Sequence, residues 1–179
     1  MRQVRVYSAD PLAAHSEQEL GRAASAHVLR VLRLRAGDAL TLFDGRGGEY
    51  PARLVRTGRA AAVVEVGAHL PLERESPLAI TLLQSLARGE KMDFIVQKGT
   101  ELGVTRIVPV AVGRSVMRVP QGREGRKLEH WRAVAASACE QCGRNRLPQI
   151  DAPVDLPSAL ALATSSEMRV LLSPEAPDT

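Results

Sequence analysis

Apolar and polar residues alternate over residues 2–7 (RQVRVY), the period of a half-buried strand. Short strand-like blocks return at 39–43, 49–56 and 60–66. Between the first two lies Asp44-Gly45-Arg46-Gly47-Gly48, whose glycines supply the positive φ that hairpin turns need. Ser16 and Glu19 have the spacing of a capping box, which predicts a helix running from there through His27, Val28, Val31 and Leu32. Short strands punctuated by glycine turns predict a small β-barrel or sandwich over residues 1–70.

The pattern changes after residues 67–77 (GAHLPLERESP), where two prolines and mixed charge predict a linker centred on 71–77. Residues 78–83 are uncharged and mostly apolar, as a buried parallel strand would be. The period then becomes helical. Residues 90–102 place Met92, Ile95, Val96, Gly99 and Leu102 on one face, and Gly103 is set to cap the end. A second apolar strand is predicted over 106–112. A longer helix follows over 124–142, with Leu128, Trp131, Ala135, Ala138 and Cys142 inward and Gly143 as its stop. A short helix over 157–163 and a third strand over 168–172 complete the series. Strand and helix in alternation predict an α/β domain with a parallel sheet over 78–179, after an all-β part.

Composition fits a water-soluble globular chain, with 45% hydrophobic and 25% charged residues among 179. Aromatic residues make up only 3%, so the core must be built from Ala, Val, Leu and Ile. No apolar run reaches the ~18–20 residues that span a bilayer. The N-terminal segment lacks the apolar stretch of a secretory signal, and two cysteines make no disulfide framework, which predicts a cytoplasmic protein. Charge adds a direction. Residues 88–146 hold 12 Lys+Arg against six Asp+Glu, a net +6 that exceeds the +4 of the whole chain. Residues 147–179 carry a net −4. Positive charge gathered in the middle points to a polyanionic partner, with nucleic acid first.

Candidate chemistry is sparse. In HVLRVLRLR, helical spacing sets His27, Arg30 and Arg33 near one face, exposing guanidinium groups that fit phosphate; a solvated helix face is the alternative. Gln97, Lys98 and Glu101 are neighbours at i+3 and i+4, the spacing of an ordinary surface pair. Cys139 and Cys142 form a Cys-x-x-Cys, but no second cysteine pair exists to complete a zinc site, and no histidine stands at ligand spacing. The following Gly-Arg-Asn-Arg-Leu-Pro places two arginines and an amide beyond a helix end, a grouping able to hold a phosphate or a base edge. The 44–48 loop lacks the Gly-Lys-[Ser/Thr] of a phosphate-binding P-loop, and no dinucleotide glycine fingerprint follows a strand.

RVLRLRAGDALTLFDGRGGEY, ESPLAITLLQSLARGEKMDFIVQKGTELGVTRIVPV, GRSVMR and KLEHWRAVAASACEQCGRNRLPQI together resemble the 16S ribosomal RNA (uracil-N3)-methyltransferases, the ribosomal small-subunit methyltransferase E family. The resemblance runs from about residue 2 to residue 150. It implies a PUA-like RNA-binding β-barrel and a SPOUT α/β domain with a deep trefoil knot, usually dimeric. It implies S-adenosylmethionine as methyl donor and N3 of one uridine in the small-subunit rRNA as acceptor. Arg114, Glu140, Gln141 and Arg144 match the family pattern on the substrate side, with Glu140 and Arg144 the candidates for catalysis. Arg30 and Arg33 would grip the rRNA backbone, and Lys98, Arg114, Gln141 and Arg146 complete the RNA-facing set. No metal is required. The family's glycine-rich loop and final knot segment have no counterpart before Thr179, so the cofactor motifs are expected beyond it and the SPOUT domain incomplete. Strands 78–83 and 106–112 are then expected to lack cover. An RNA-binding protein without catalysis is the alternative reading.

Overall fold

The computed structural model describes residues 4–112 and 124–172. Its N-terminal part is a five-stranded sheet of β1 (Arg5–Tyr7), β2 (Ser16–Glu19), β3 (Ala39–Phe43), β4 (Tyr50–Thr57) and β5 (Ala62–Val66), ordered β1-β3-β4-β5-β2. β1 runs parallel to β3, and the other pairings are antiparallel. Alternation does the sorting: Val6, Leu40, Leu42, Leu54, Val64 and Val66 are buried in one cluster. Ala24 and Val28 join it from α1 (Arg22–Ala26) and the π-helical turn His27–Val31 that continues it.

Ser16 and Glu19 do not form a capping box. Residues 16–19 are extended and pair with β5, Ser16 opposite Val66 and Glu19 opposite Val63. Ser16 Oγ donates to the Ala13 carbonyl (2.7 Å), outside any helix. A four-residue ladder on the sheet edge outweighs a capping pattern that two residues define. The helix instead begins after Gly21.

The second part is a parallel sheet of β6 (Thr81–Ser85), β7 (Arg106–Ala111), β8 (Gln149–Ile150) and β9 (Val154–Asp155), with α2 (Glu90–Glu101), α3 (Glu124–Cys142) and α4 (Leu156–Leu162) around it. β7 is central: β6 pairs along one side, β8 and β9 along the other. Ile107 packs with Met92, Val96, Trp131 and Ala135 under α2 and α3, while Val108 and Val110 pack with Ala159 of α4 on the opposite face.

Four expectations change here. The strand expected at 78–83 begins at Thr81, and Leu78 is 64% exposed. Residues 168–172 make no strand and are exposed; β8 and β9 supply the further strands. The 106–112 strand does not lack cover, since Ile107, Val108 and Val110 are all buried. The inner stripes are also corrected: Leu102 is the exposed cap residue of α2, and on α3 Cys139 is buried while Cys142 is exposed. Gly143, at φ +91°, turns the chain back across the Cys139 side, where Cys139 Sγ contacts the Arg146 carbonyl (3.6 Å).

The segment expected as a linker is pinned to both parts. Leu70 and Glu49 exchange both backbone hydrogen bonds (2.8 and 2.9 Å). That strand-like approach needs Gly48, at φ +70°, because a Cβ there would stand 2.7 Å from the Leu70 carbonyl oxygen. Glu49 is buried and accepts from two arginines, Arg5 of β1 and Arg74 of the linker (2.5 Å). Arg5 also donates to Asn145 Oδ1 (2.5 Å), and Asn145 Nδ2 donates to the Leu72 carbonyl (2.9 Å). Arg146 Nε donates to Glu73 (2.9 Å). The loop after α3 is thereby tied to the hairpin, the linker and β1 together.

Burial opposes ionisation of the Glu49 carboxyl, but the hydrogen bonds from Arg74 and Arg5 outweigh it and hold its pKa below the ordinary 4.5. A depressed carboxylate contributes stability that is complete above its unfolded pKa and lost as pH falls through the folded value. We expect Glu49→Ala to lower unfolding free energy by about 3–5 kcal/mol in urea titration at pH 7, because it strands two arginines around a buried gap. The stability difference between the native chain and Glu49→Gln should narrow as pH is lowered from about 4.5. A pH-independent difference would remove Glu49 from this role.

Candidate nucleic-acid interface

Near the end of α3, Glu140 reaches back to the N-terminal sheet. Its Oε1 accepts from the Tyr7 backbone N–H (2.9 Å), and its Oε2 stands 3.7 Å from His27 Nε2. This contact sets β1 and α1 against α3 and leaves a cleft of about 640 Å³ between them. The walls are short side chains, Ala23 and Ala24 from α1 and Ala133 and Ala136 from α3, and the polar lining includes Tyr7, His27, Arg132, Ser137 and Glu140. The floor is Leu147–Ile150, the run into β8. Burial, reinforced by the nearby Asp44 charge, pushes the Tyr7 phenol up from 10, so at neutral pH its hydroxyl is a donor as well as an acceptor.

The two arginines expected to face RNA from α1 do stand in solvent. Arg30 and Arg33 are exposed, and neither has a protein partner among the described residues. They belong to an irregular helix end. Leu32 N–H bonds to the His27 carbonyl (2.9 Å), a five-residue step, and Arg33 takes φ +56°. Lys98 is paired within its helix: it meets Glu101 (2.6 Å), which also accepts from Gln97 (3.0 Å). The Lys98 hydrogen bond is the chief reason the Glu101 carboxyl lies below its ordinary range. Arg114 lies outside the described residues, and Gln141 is on the exposed side of α3.

Arg144 is placed differently from a group awaiting substrate. It is buried, chelates Glu75 through Nε (2.9 Å) and Nη2 (2.5 Å), and donates through Nη1 to the carbonyls of Thr100 (2.8 Å) and Val104 (2.9 Å). Those carbonyls belong to the end of α2 and the turn after it, so Arg144 caps one helix while closing the turn after another. Asn145 is likewise met by protein groups, while Arg146 spends Nε on Glu73 and stays half-exposed. The Cys139 thiol is pushed up to about 12 by burial, which leaves it protonated and inert at neutral pH. Among the described residues no three His, Cys, Asp or Glu side chains gather as a metal site.

Sequence reasoning missed Tyr7, Arg5, Glu49 and Arg74. Their roles arise from contacts 25 to 140 positions apart in the chain, which no local period records. The one available signal was Glu49 itself, a carboxylate following Gly47-Gly48 at the base of a hairpin, where β-strand packing would bury it.

Comparison with known proteins gives this arrangement a context. The family described as RNA methyltransferase PUA domain matches residues 20–67, and the RNA methyltransferase domain matches residues 74–179. The chain is 30% identical over 152 residues to ribosomal RNA small subunit methyltransferase E of Buchnera aphidicola, covering 85% of this chain and 60% of that one. Against the Bacillus subtilis protein of the same name it is 30% identical, covering 69% and 48%. The chain therefore spans about half the length of the curated relatives it matches. Among solved structures, a Legionella pneumophila protein described as a methyltransferase with bound SAM superposes with a TM-score of 0.92 at 33% identity, over 98% of this chain and 72% of that one. Ribosomal RNA small subunit methyltransferase E of Neisseria gonorrhoeae, bound to S-adenosyl methionine, follows at 0.84 and 36%, over 94% and 67%. With both domain families matched in order and the fold shared across nearly the whole chain, this protein belongs to the RNA methyltransferases of the ribosomal RNA small subunit methyltransferase E family.

Proposed function

We propose that the whole protein transfers a methyl group from S-adenosylmethionine to N3 of a uridine in 16S rRNA, acting on the small ribosomal subunit as a cytoplasmic homodimer. The observation that carries this is the 0.92 superposition, over 98% of the chain, on a methyltransferase-like protein that holds SAM. S-adenosylmethionine supplies the electrophilic methyl group when bound. Open parallel sheets hold ligands at the carboxyl ends of their strands. There the described residues are Ser85 and Leu86 at the end of β6, Ala111 and Val112 at the end of β7, Asp151 after β8 and Asp155 at the end of β9. Asp151 is paired with Arg106 and Asp155 accepts from the Ser158 N–H, so these residues do not make up a site for the cofactor.

The acceptor chemistry falls to polar groups near the substrate. Uracil N3 is weakly acidic and must lose its proton before it can attack a methyl group. Glu140 is an acceptor at a cleft, with one oxygen engaged by the Tyr7 N–H and the other facing His27 across 3.7 Å. We place it on the substrate side as the candidate base. Arg144, with its donors directed at Glu75, Thr100 and Val104, acts through the α3 turn as a positioning residue. Arg30 and Arg33, exposed and unpartnered, suit backbone phosphates, with Lys98, Arg114, Gln141 and Arg146 as further RNA contacts.

The test is methylation of small ribosomal subunits and of naked 16S rRNA by the full-length protein with radiolabelled S-adenosylmethionine. Label should appear at one uridine whose modified Watson–Crick face blocks primer extension. Glu140→Gln should lower kcat by about 100-fold or more. Removing Arg30 and Arg33 should weaken binding and flatten its salt dependence by roughly one unit per arginine. RNA binding without methyl transfer would move the protein to the non-catalytic class, and label on a ribose or another base would reject N3 as acceptor.

A further inference from the structure

The cleft between α1 and α3 has a build that methyl transfer alone does not require. We propose that it is a subsite for one unstacked base of single-stranded RNA beside the methylated position, an inference that rests on the RNA-methyltransferase reading.

Shape comes first. At about 640 Å³ the cleft lies within the range of small-ligand pockets. Its two helical walls are alanine where they face each other, Ala23 and Ala24 against Ala133 and Ala136, so the gap is a slot and not a funnel of long side chains. A base inside a duplex cannot enter such a slot; a splayed one can. Tyr7 and His27 line it and offer ring faces of the kind on which single-stranded bases stack.

Glu140, the candidate base for the methylated uridine, also lines the slot, so a base held there lies beside the reacting position. Arg132 and Glu129, also in the lining, carry opposite charges, so the slot does not itself call for a phosphate.

The charge that phosphates need stands just outside. Arg30 lies in the π-helical turn just beyond His27, and Arg33 follows its Leu32 cap; both are exposed and without a partner among the described residues. The backbone between them is irregular in two ways. His27–Val31 is π-helical, and Arg33 holds φ +56° where glycine is the usual occupant. Such departures are unfavourable and cluster at ligand sites. Neither arginine lines the slot, so a base can be inside it while its flanking phosphates meet the arginines outside.

Ala133→Trp fills the slot from an exposed helix position and should leave the fold intact by circular dichroism. Fluorescence anisotropy of the full-length protein with labelled single-stranded A7, C7 and U7 RNA provides the readout. We expect about ten-fold weaker binding of all three RNAs with an unchanged salt slope, since stacking is lost and phosphate contacts remain. Arg59→Ala, which removes a charge outside the cleft, should change none of this. If Ala133→Trp binds all three RNAs as the native protein does while native methyl transfer is intact, the subsite is wrong and the methyltransferase reading stands. If the native protein neither binds RNA nor transfers methyl, both fail together.

Discussion

One buried carboxylate organises this molecule. Glu49 sits where the β3–β4 hairpin, β1 and the linker converge, and two arginines from different segments donate to it. Left alone, either arginine would be a partly buried cation without a counter-charge, and Glu49 a buried anion; each state is unfavourable by several kcal/mol. Satisfying all three requires the N-terminal sheet, the linker and the loop after α3 to meet in one arrangement. Asn145 extends the same demand, since Arg5 also donates to its Oδ1 while its amide group holds the Leu72 carbonyl. The relative placement of sheet and helix α3, and so the width of the cleft between them, follows from this set of polar contacts.

The arrangement also redistributes charge. Residues 88–146 are strongly basic in the sequence, but several of their cations are met by acids from outside that stretch. Arg144 meets Glu75, Arg146 meets Glu73 and Arg106 meets Asp151. Part of the positive charge is therefore met inside the protein, by the linker and by the residue after β8. Arg30 and Arg33, in a region of nearly balanced composition, are among the exposed cations with no partner among the described residues. Net charge along the sequence and net charge available at the surface are different quantities, and the ion pairs decide the difference.

Local order was legible in the sequence to the extent that it was local. The hairpin at 44–48, helix α2, helix α3 over its full length and the glycine stops at 103 and 143 follow from period and turn chemistry. Residues 16–19 were not legible as a strand, because their partner lies nearly 50 positions away in β5. Residues 168–172 looked like a strand because apolar content resembles one, yet a strand is made by a partner, and these residues pair with none of the strands and stand exposed. For the site, the sequence singled out Arg30 and Arg33, which stand in solvent, and Glu140, which lines the cleft, while Tyr7 and the alanine walls were invisible: small apolar residues carry no chemical signal until two helices flank one cleft.

The block EQCGRNRLPQI carries much of the family resemblance, and its contacts explain why such a block can be distinctive for its joints as well as for any chemistry. Glu140 holds the Tyr7 backbone, Arg144 holds Glu75 and the end of α2, Asn145 holds Arg5 and Leu72, and Arg146 holds Glu73. The Leu147 N–H reaches the Gly45 carbonyl (3.3 Å), closing the block onto the hairpin. Polar residues at such a joint are constrained on every side by geometry, because each must satisfy a specific buried partner. A protein that must present two RNA-facing parts at a fixed distance needs such a joint, and here the same eight residues that build it, 140–147, also contribute Glu140 and Leu147 to the lining of the cleft. The lining of the cleft and the geometry between the two parts are thus built from one turn of chain, so that loss of the joint would open the cleft before it altered any group inside it.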